Sequence, residues 1–220
     1  LLTVPAIIGA KRSAPKLYGP LHSGQYHLGP VDFAETQWHN ACAPAGGYRE
    51  TLQESTGLGD ELLAGVSYSA IEGGAACDRC IFIQTDKGKS VIARVVTYGS
   101  TNQPGDTDVS PSVYSILNMG EYPRKMTWQF TKCPDAGPIY YEFQTGAHQW
   151  WSSLWVRNSN IPIKKVEVKS SNHKQFFKLT WGGDGTVTDS GGFGAGSFIL
   201  RITSVDDQVI ENEFSFFPTG

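Results

Sequence analysis

The sequence predicts an all-β chain of two domains. Three observations carry that reading: a composition rich in turn formers, short β-prone runs set between turn signals, and cysteines confined to one part of the chain. Its 220 residues include 25 Gly and 12 Pro, and only 18% are charged. That profile favours short strands and many turns over a helical bundle. The four cysteines, Cys42, Cys77, Cys80 and Cys133, all lie in the first two thirds of the chain. Cys133 is followed by Pro134-Asp135-Ala136-Gly137-Pro138, a connector of turn residues. The expected division is an N-terminal extension at 1–20, a first domain at 21–135 and a second at 136–220.

The opening LLTVPAIIGAKRSAPK is apolar, broken by Pro5, then basic. It reads as a targeting or linker piece outside the fold. In the first domain, Cys80–Gln84 and Ser90–Val96 read as two strands, and Asp86–Lys89 between them as a hairpin turn. A short helix is expected at Ser112–Met119, with Ser110 as N-cap and Pro111 at the first helical position. In the second domain, Ile163–Lys169 is expected to pair with Phe176–Trp181. Ser197–Thr203 and Gln208-Val209-Ile210 follow, the two joined by Asp206-Asp207. Six or seven short strands over this length match a β-sandwich. Gly191–Gly196 lacks the strand–helix context of a phosphate loop and reads as a flexible loop between strands.

Several function classes fall away at this level. The formal charge is −3 with no basic stripe, so nucleic acid is not an expected partner. No apolar run is long enough to cross a membrane as a helix, so no membrane partner is expected. Cys77-Asp78-Arg79-Cys80 offers one half of a zinc site, but Cys42 and Cys133 are isolated. Two disulfides in an exported protein are the better reading, with no metal and no cofactor.

The most informative stretch is Tyr140–Asn158, YYEFQTGAHQWWSSLWVRN. Leu154 and Trp155 are expected in a core. Trp150 and Trp151 are adjacent, and neighbouring side chains of a strand point to opposite faces. One of the pair is therefore expected at the surface, where a large aromatic marks a binding face. Flat rings suit ligands with an apolar face and a hydroxyl rim, as sugars have. The alternative is that both rings are core, with a bulge absorbing the parity.

Other candidate chemistry is sparse. Asp106 and Asp108 lie in GDTDVSP, just before the helix cap. Paired carboxylates serve glycoside hydrolysis, but either aspartate could equally be a turn or cap residue. His22, His27 and His39 precede any nucleophile motif, and no G-x-S-x-G or H-E-x-x-H occurs.

Two landmarks carry a family resemblance. One is Asp108-Val109-Ser110-Pro111 followed by the short helix and Asn118-Met119. The other is Gln149-Trp150-Trp151 leading to Val156-Arg157-Asn158 and Pro162. Gly74-Ala75-Ala76-Cys77-Asp78-Arg79-Cys80 adds to them. On these the chain resembles the two-domain microbial expansins from about His22 onward. The resemblance implies a double-psi β-barrel followed by an immunoglobulin-like sandwich that binds carbohydrate. It implies a secreted, monomeric protein that loosens plant cell walls without hydrolysis, so no catalytic residues. Its partner would be cellulose, with other β-1,4-glucans or xylan as further targets. The disulfides it implies are Cys42–Cys77 and Cys80–Cys133.

Residue by residue, the resemblance puts Asp108, Tyr98, Asp106 and His27 in the barrel groove. The polysaccharide-binding platform would be Trp150, Trp151 and Trp181, with Gln144 where the family has a lysine. The family's second groove aspartate falls at Val96 or Thr97, and its early threonine near His27. Two other functions stay open. One is an endoglucanase using Asp108 as acid with Asp106, Asp32 or Glu50 as the second carboxylate. The other is a secreted defence or lectin-type protein.

Overall fold

The computed structural model describes residues 14–29, 31, 41–42, 62–67, 75–99, 103–134, 137–215 and 217. Six strands close a barrel: β1 (Leu17–Leu28), β2 (Leu63–Ser67), β3 (Cys80–Thr85), β4 (Ser90–Gly99), β5 (Thr107–Val109) and β6 (Lys125–Thr131). Their order is β1-β5-β2-β4-β3-β6, and β6 returns to β1. The pairs β1/β5 and β2/β4 are parallel and the others antiparallel. This is the double-psi barrel that the resemblance implied.

Alternation fills the barrel. Tyr26, Val66, Ile81, Ile83, Val95, Val109 and Trp128 are buried in one cluster. Helix α1 (Pro111–Leu117) covers it with Val113 and Leu117. Ser110 caps the helix by accepting from the Val113 N–H. The helix stops at Leu117, short of the expected Met119, because Asn118 takes an extended backbone. The expected turn at 86–89 joins β3 to β4. Leu17 and Tyr18, expected in an extension outside the fold, pair with Thr131 and Phe130 of β6.

The rest of the strands form two packed sheets. One has the order β10-β9-β13-β14 and the other β11-β12-β8-β7. Their spans are β7 (Tyr140–Phe143), β8 (Ser152–Arg157), β9 (Ile163–Lys169), β10 (Phe177–Lys178), β11 (Thr180–Trp181), β12 (Val187–Asp189), β13 (Phe198–Ser204) and β14 (Val209–Phe214). Leu154, Val156, Val166, Val168, Leu179, Val187, Phe198 and Leu200 are buried between the sheets.

The single strand expected at Phe176–Trp181 is a correction. Only Phe177 and Lys178 pair with β9, whereas Thr180 and Trp181 pair with β12 in the other sheet. The chain changes sheet at Leu179, which is 1% exposed and donates its N–H to Val166 O. An apolar side chain anchored between two sheets can belong to either strand run, and periodicity does not distinguish them.

Both disulfides form as the resemblance implied, Cys42–Cys77 and Cys80–Cys133. All four thiols are spent, so the zinc reading is excluded. The Cys77–Cys80 corner also ties the barrel to the sandwich. Asp78 meets the fully buried Arg157, whose Nη1 donates to Asp78 Oδ2 at 2.6 Å and to Cys42 O at 3.0 Å. Arg157 Nε donates to Glu142 Oε2 at 2.9 Å. Next to it, Arg79 Nη2 donates to Ile163 O at 2.5 Å.

Candidate functional site

Directly opposed residues of neighbouring strands share a sheet face. In the β11-β12-β8-β7 sheet, Trp181, Val187, Leu154 and Phe143 form one such row. Val187 and Leu154 are fully buried, so this row faces the sandwich interior. The adjacent row, Thr180, Thr188 and Ser153, faces outward. Gln144 joins it, donating its N–H to Ser153 O. By the same alternation Trp151, Ser153, Trp155 and Arg157 point outward along β8.

Trp151 is half-buried and closes a bridge with His148. Trp150 precedes it in a turn and is 57% exposed. Trp150 lies in a turn rather than a strand, so strand parity does not govern the pair: Trp150 is the exposed ring and Trp151 is half-buried on the outer side. Between Trp151 and Trp155 lies a polar band in which Ser153 and Thr188 share a 2.8 Å hydrogen bond. Ser153 and Trp155 are buried, at 0% and 2% exposure, so the accessible part of this face is Trp150, Trp151, Gln144 and Thr188, rings beside polar groups that can stack on a sugar face and bond its rim.

One platform expectation changes. Trp181 takes the inward register, is half-buried and packs on the sandwich core. It lines a cleft of about 330 Å³ with Tyr18, His22, Arg79 and Pro162 and does not sit on the outer face with Trp151. The sheet change at Leu179 sets that register. Trp155, expected in a core, is 2% exposed but on the outer face. The Arg157 guanidinium lies 4.9 Å from its ring, and its Nε1 donates to Asp184 O at 3.0 Å.

The second sheet's outer face is different in kind. Lys178, Glu167, Arg201 and Glu211 stand in one row of alternating sign. Arg201 pairs with Glu211 at 2.7 Å and Lys165 with Glu167 at 2.9 Å. It is a charge ladder, with the Arg201 guanidinium lying 3.3 Å over the Phe176 ring.

On the barrel, His27, Asp108, Gly65 and Thr97 form one row across β1, β5, β2 and β4. The neighbouring row, Tyr26, Thr107 and Val66, is fully buried, so the first row faces out. Gly65 lets its neighbours close up, since a Cβ there would fall 2.7 Å from Thr97 Cγ2. Asp108 and Thr97 thus pack closely over Gly65 on the barrel wall. Asp106 lies at the edge of the row and is 7% exposed. Its Oδ1 accepts from Gln25 N at 2.8 Å, and its Oδ2 is 3.3 Å from His27 Nε2. Of the other proposed carboxylates, Asp32 and Glu50 lie outside the described residues, as does His39.

Tyr98 follows Thr97 and donates its hydroxyl to Gly183 O in the sandwich. The next residue, Asp184, accepts from Trp155. The barrel row and the outer face of β8 are thereby joined through Tyr98, Gly183 and Asp184. Sequence reasoning missed Asp78, Arg79 and Arg157 as the joint between the two parts. The available signal was Asp78-Arg79, two opposite charges set inside the Cys77–Cys80 pair.

No protein-family model matches the chain. Expansin-like protein 5 of Dictyostelium discoideum is 28% identical over 173 residues, which is 72% of this chain and 68% of that protein. Expansin-like protein 3 of the same organism is 28% identical over 137 residues, 60% of this chain but 41% of the relative's length. Expansin-YoaJ of Bacillus subtilis is 26% identical over 138 residues, 62% of this chain and 57% of that protein. Two structures of a Clavibacter michiganensis expansin superpose with a TM-score of 0.68 each, over 88% of this chain and 90% of theirs. They are 16% and 17% identical, one a mutant in complex with cellohexaose and the other without ligand. The fold class is that of the bacterial expansins, a barrel followed by a β-sandwich. In sequence and fold alike, the chain is similar to the microbial expansins and expansin-like proteins.

Proposed function

We propose that this protein is a secreted, non-hydrolytic expansin that binds cellulose and loosens plant cell walls by disrupting contacts between glucan chains. The observation that carries the reading is the exposed ring of Trp150 beside the half-buried Trp151, bordered by the polar side chains of Gln144 and Thr188. A ring that covers roughly 80–100 Å² of glucan gains about 2 kcal/mol gross at ~25 cal/mol/Å². Ordering of the chain offsets part of that gain. The complex of the Clavibacter expansin with cellohexaose supports the same ligand class. On the opposite sheet the Phe176 ring is covered by Arg201 within the charge ladder.

The barrel row supplies the second element of the proposal. Among the described residues Asp108 stands in a row with His27, Gly65 and Thr97, and Asp106 is occupied by Gln25 and His27. A hydrolase on this barrel would need a carboxylate pair at a defined gap. Asp108 is accordingly proposed to hold a glucan hydroxyl and not to protonate a glycosidic oxygen. The two disulfides support export.

The test is extension of a heat-inactivated plant wall strip under constant load, run beside a reducing-sugar assay on soluble glucan. Creep without sugar release is expected. Steady sugar release by the wild type that disappears in Asp108→Asn would establish the endoglucanase alternative instead.

A further inference from the structure

Gly191–Gly196 is expected from sequence to be a flexible loop, yet the segment 189–194 is fastened at nearly every residue. Asp189 is 6% exposed, and its Oδ1 accepts from Gly191 N at 3.0 Å. Its Oδ2 lies 2.6 Å from His173 Nε2. Asn172 Nδ2 donates to Gly191 O at 3.2 Å and to Gly192 O at 2.9 Å. Phe193 is 1% exposed, packs 5.0 Å from Phe198 and donates its N–H to Ser152 Oγ at 3.1 Å. Gly194 N donates to Gln149 O at 2.7 Å. At Gly192 the strap runs against the backbone of the tryptophan turn. A Cβ there would fall 2.3 Å from Gln149 O and 2.5 Å from Trp150 Cα. No side chain can occupy that space unless the turn moves.

Trp150 needs such support. It sits in a turn, is exposed by more than half, and receives no anchoring from a strand of its own. A stacking ring loses affinity if it must be ordered on binding. We propose that the 189–194 strap is a positioning element for the sugar-stacking platform. Gly192 seats the Gln149–Trp150 backbone, and Asn172, His173 and Asp189 hold the strap against it. The inference rests on the platform reading above.

Gly196 provides the control. It shares the left-handed backbone of Gly192, with φ of +90° against +71°, but nothing lies within 4 Å of a Cβ placed there. Both alanine variants carry the strain of that conformation, and only Gly192→Ala collides with the tryptophan turn. The experiment compares Gly192→Ala, Gly196→Ala, Trp150→Ala and the Gly192→Ala/Trp150→Ala double variant. Binding to microcrystalline cellulose and quenching of tryptophan emission by cellohexaose are both measured, each on protein shown folded by its melt.

Gly192→Ala is expected to weaken binding about 5- to 30-fold, as Trp150→Ala does, and Gly196→Ala less than about twofold. The double variant is expected to bind no worse than Trp150→Ala alone, because both remove the same contact. If Gly192→Ala fails to fold, Asn172→Ala takes its place, with a smaller loss in binding and the same absence of additivity. Gly192→Ala or Asn172→Ala binding like wild type while Trp150→Ala binds weakly would overturn the strap alone. Trp150→Ala binding like wild type would overturn the platform, and the strap with it.

Discussion

Arg157 Nη1 and Asp78 Oδ2 meet at 2.6 Å in a contact from which the arginine side chain has no exposure at all. The pair joins β8 of the sandwich to the disulfide corner of the barrel. Two charges taken out of water cost several kcal/mol each, which the attraction repays only with good geometry and further hydrogen bonds. Glu142 and Cys42 O supply those bonds. Removing Asp78 takes one of two carboxylates from the buried guanidinium and leaves it Glu142 and the Cys42 carbonyl. Asp78→Ala should therefore destabilise the protein by about 1.5–3 kcal/mol, the worth of a hydrogen bond to a charged group, read as a shift in the denaturant midpoint. A variant as stable as wild type would mean that the joint is dispensable.

Trp155 and Trp150 should separate cleanly in stability. Trp155→Ala removes a ring that is 2% exposed beneath Arg157 and should cost about 3–5 kcal/mol. Trp150→Ala removes a largely exposed ring and should leave the melt within about 0.5 kcal/mol of wild type. Equal losses in both would return the tryptophan pair to the core.

Thiol titration of the denatured, unreduced protein should find no free thiol. The two bridges join residues 35 and 53 positions apart. In the chain-entropy account each stabilises by about 4 kcal/mol. Reduction should lower the melting temperature sharply, and an unchanged melt in reductant would contradict it.

His22 stacks on Trp128 with centroids 4.0 Å apart and planes at 13°. Burial lowers its pKa from 6.5, since desolvation disfavours the charged ring. The unfolded chain thus binds the proton more readily than the folded one. The resulting stability is fully present above the unfolded value of 6.5 and is lost as pH falls through the lower folded value. The melting temperature should drop as pH falls from about 7 to about 5, and His22→Phe should remove part of that drop. An identical slope in the variant would assign it to other groups.

Much of this architecture was legible in the sequence because its signals are local. Ser110-Pro111 marks a helix start, and 86–89 marks a turn, by chemistry within a few residues. The adjacent tryptophans mark an exposed ring, Trp150, although it lies in a turn and not, as parity assumes, in a strand. What stayed hidden depends on distant partners. Trp181 looked exposed because it ends a strand before two glycines, yet its face is fixed by Leu179 crossing between sheets. Asp78 and Arg79 are given no role of their own within Cys77–Cys80, and only the packed structure brings them to Arg157 and Ile163. Gly191–Gly196 looked loose because its anchors, Asn172, Ser152 and Gln149, lie elsewhere in the chain.

The most direct test of the central claim is a depletion isotherm of Trp150→Ala/Trp151→Ala on microcrystalline cellulose, with Trp181→Ala alongside. Stacking is an apolar gain that salt screens little, so the isotherms are run in moderate salt. The double variant should lose most of its binding, since each ring contributes roughly 1–2 kcal/mol net, and should keep a near-wild-type melt. Trp181→Ala should bind like wild type. Retained binding in the double variant, or a loss as large in Trp181→Ala, would contradict the assignment of this face as the polysaccharide platform.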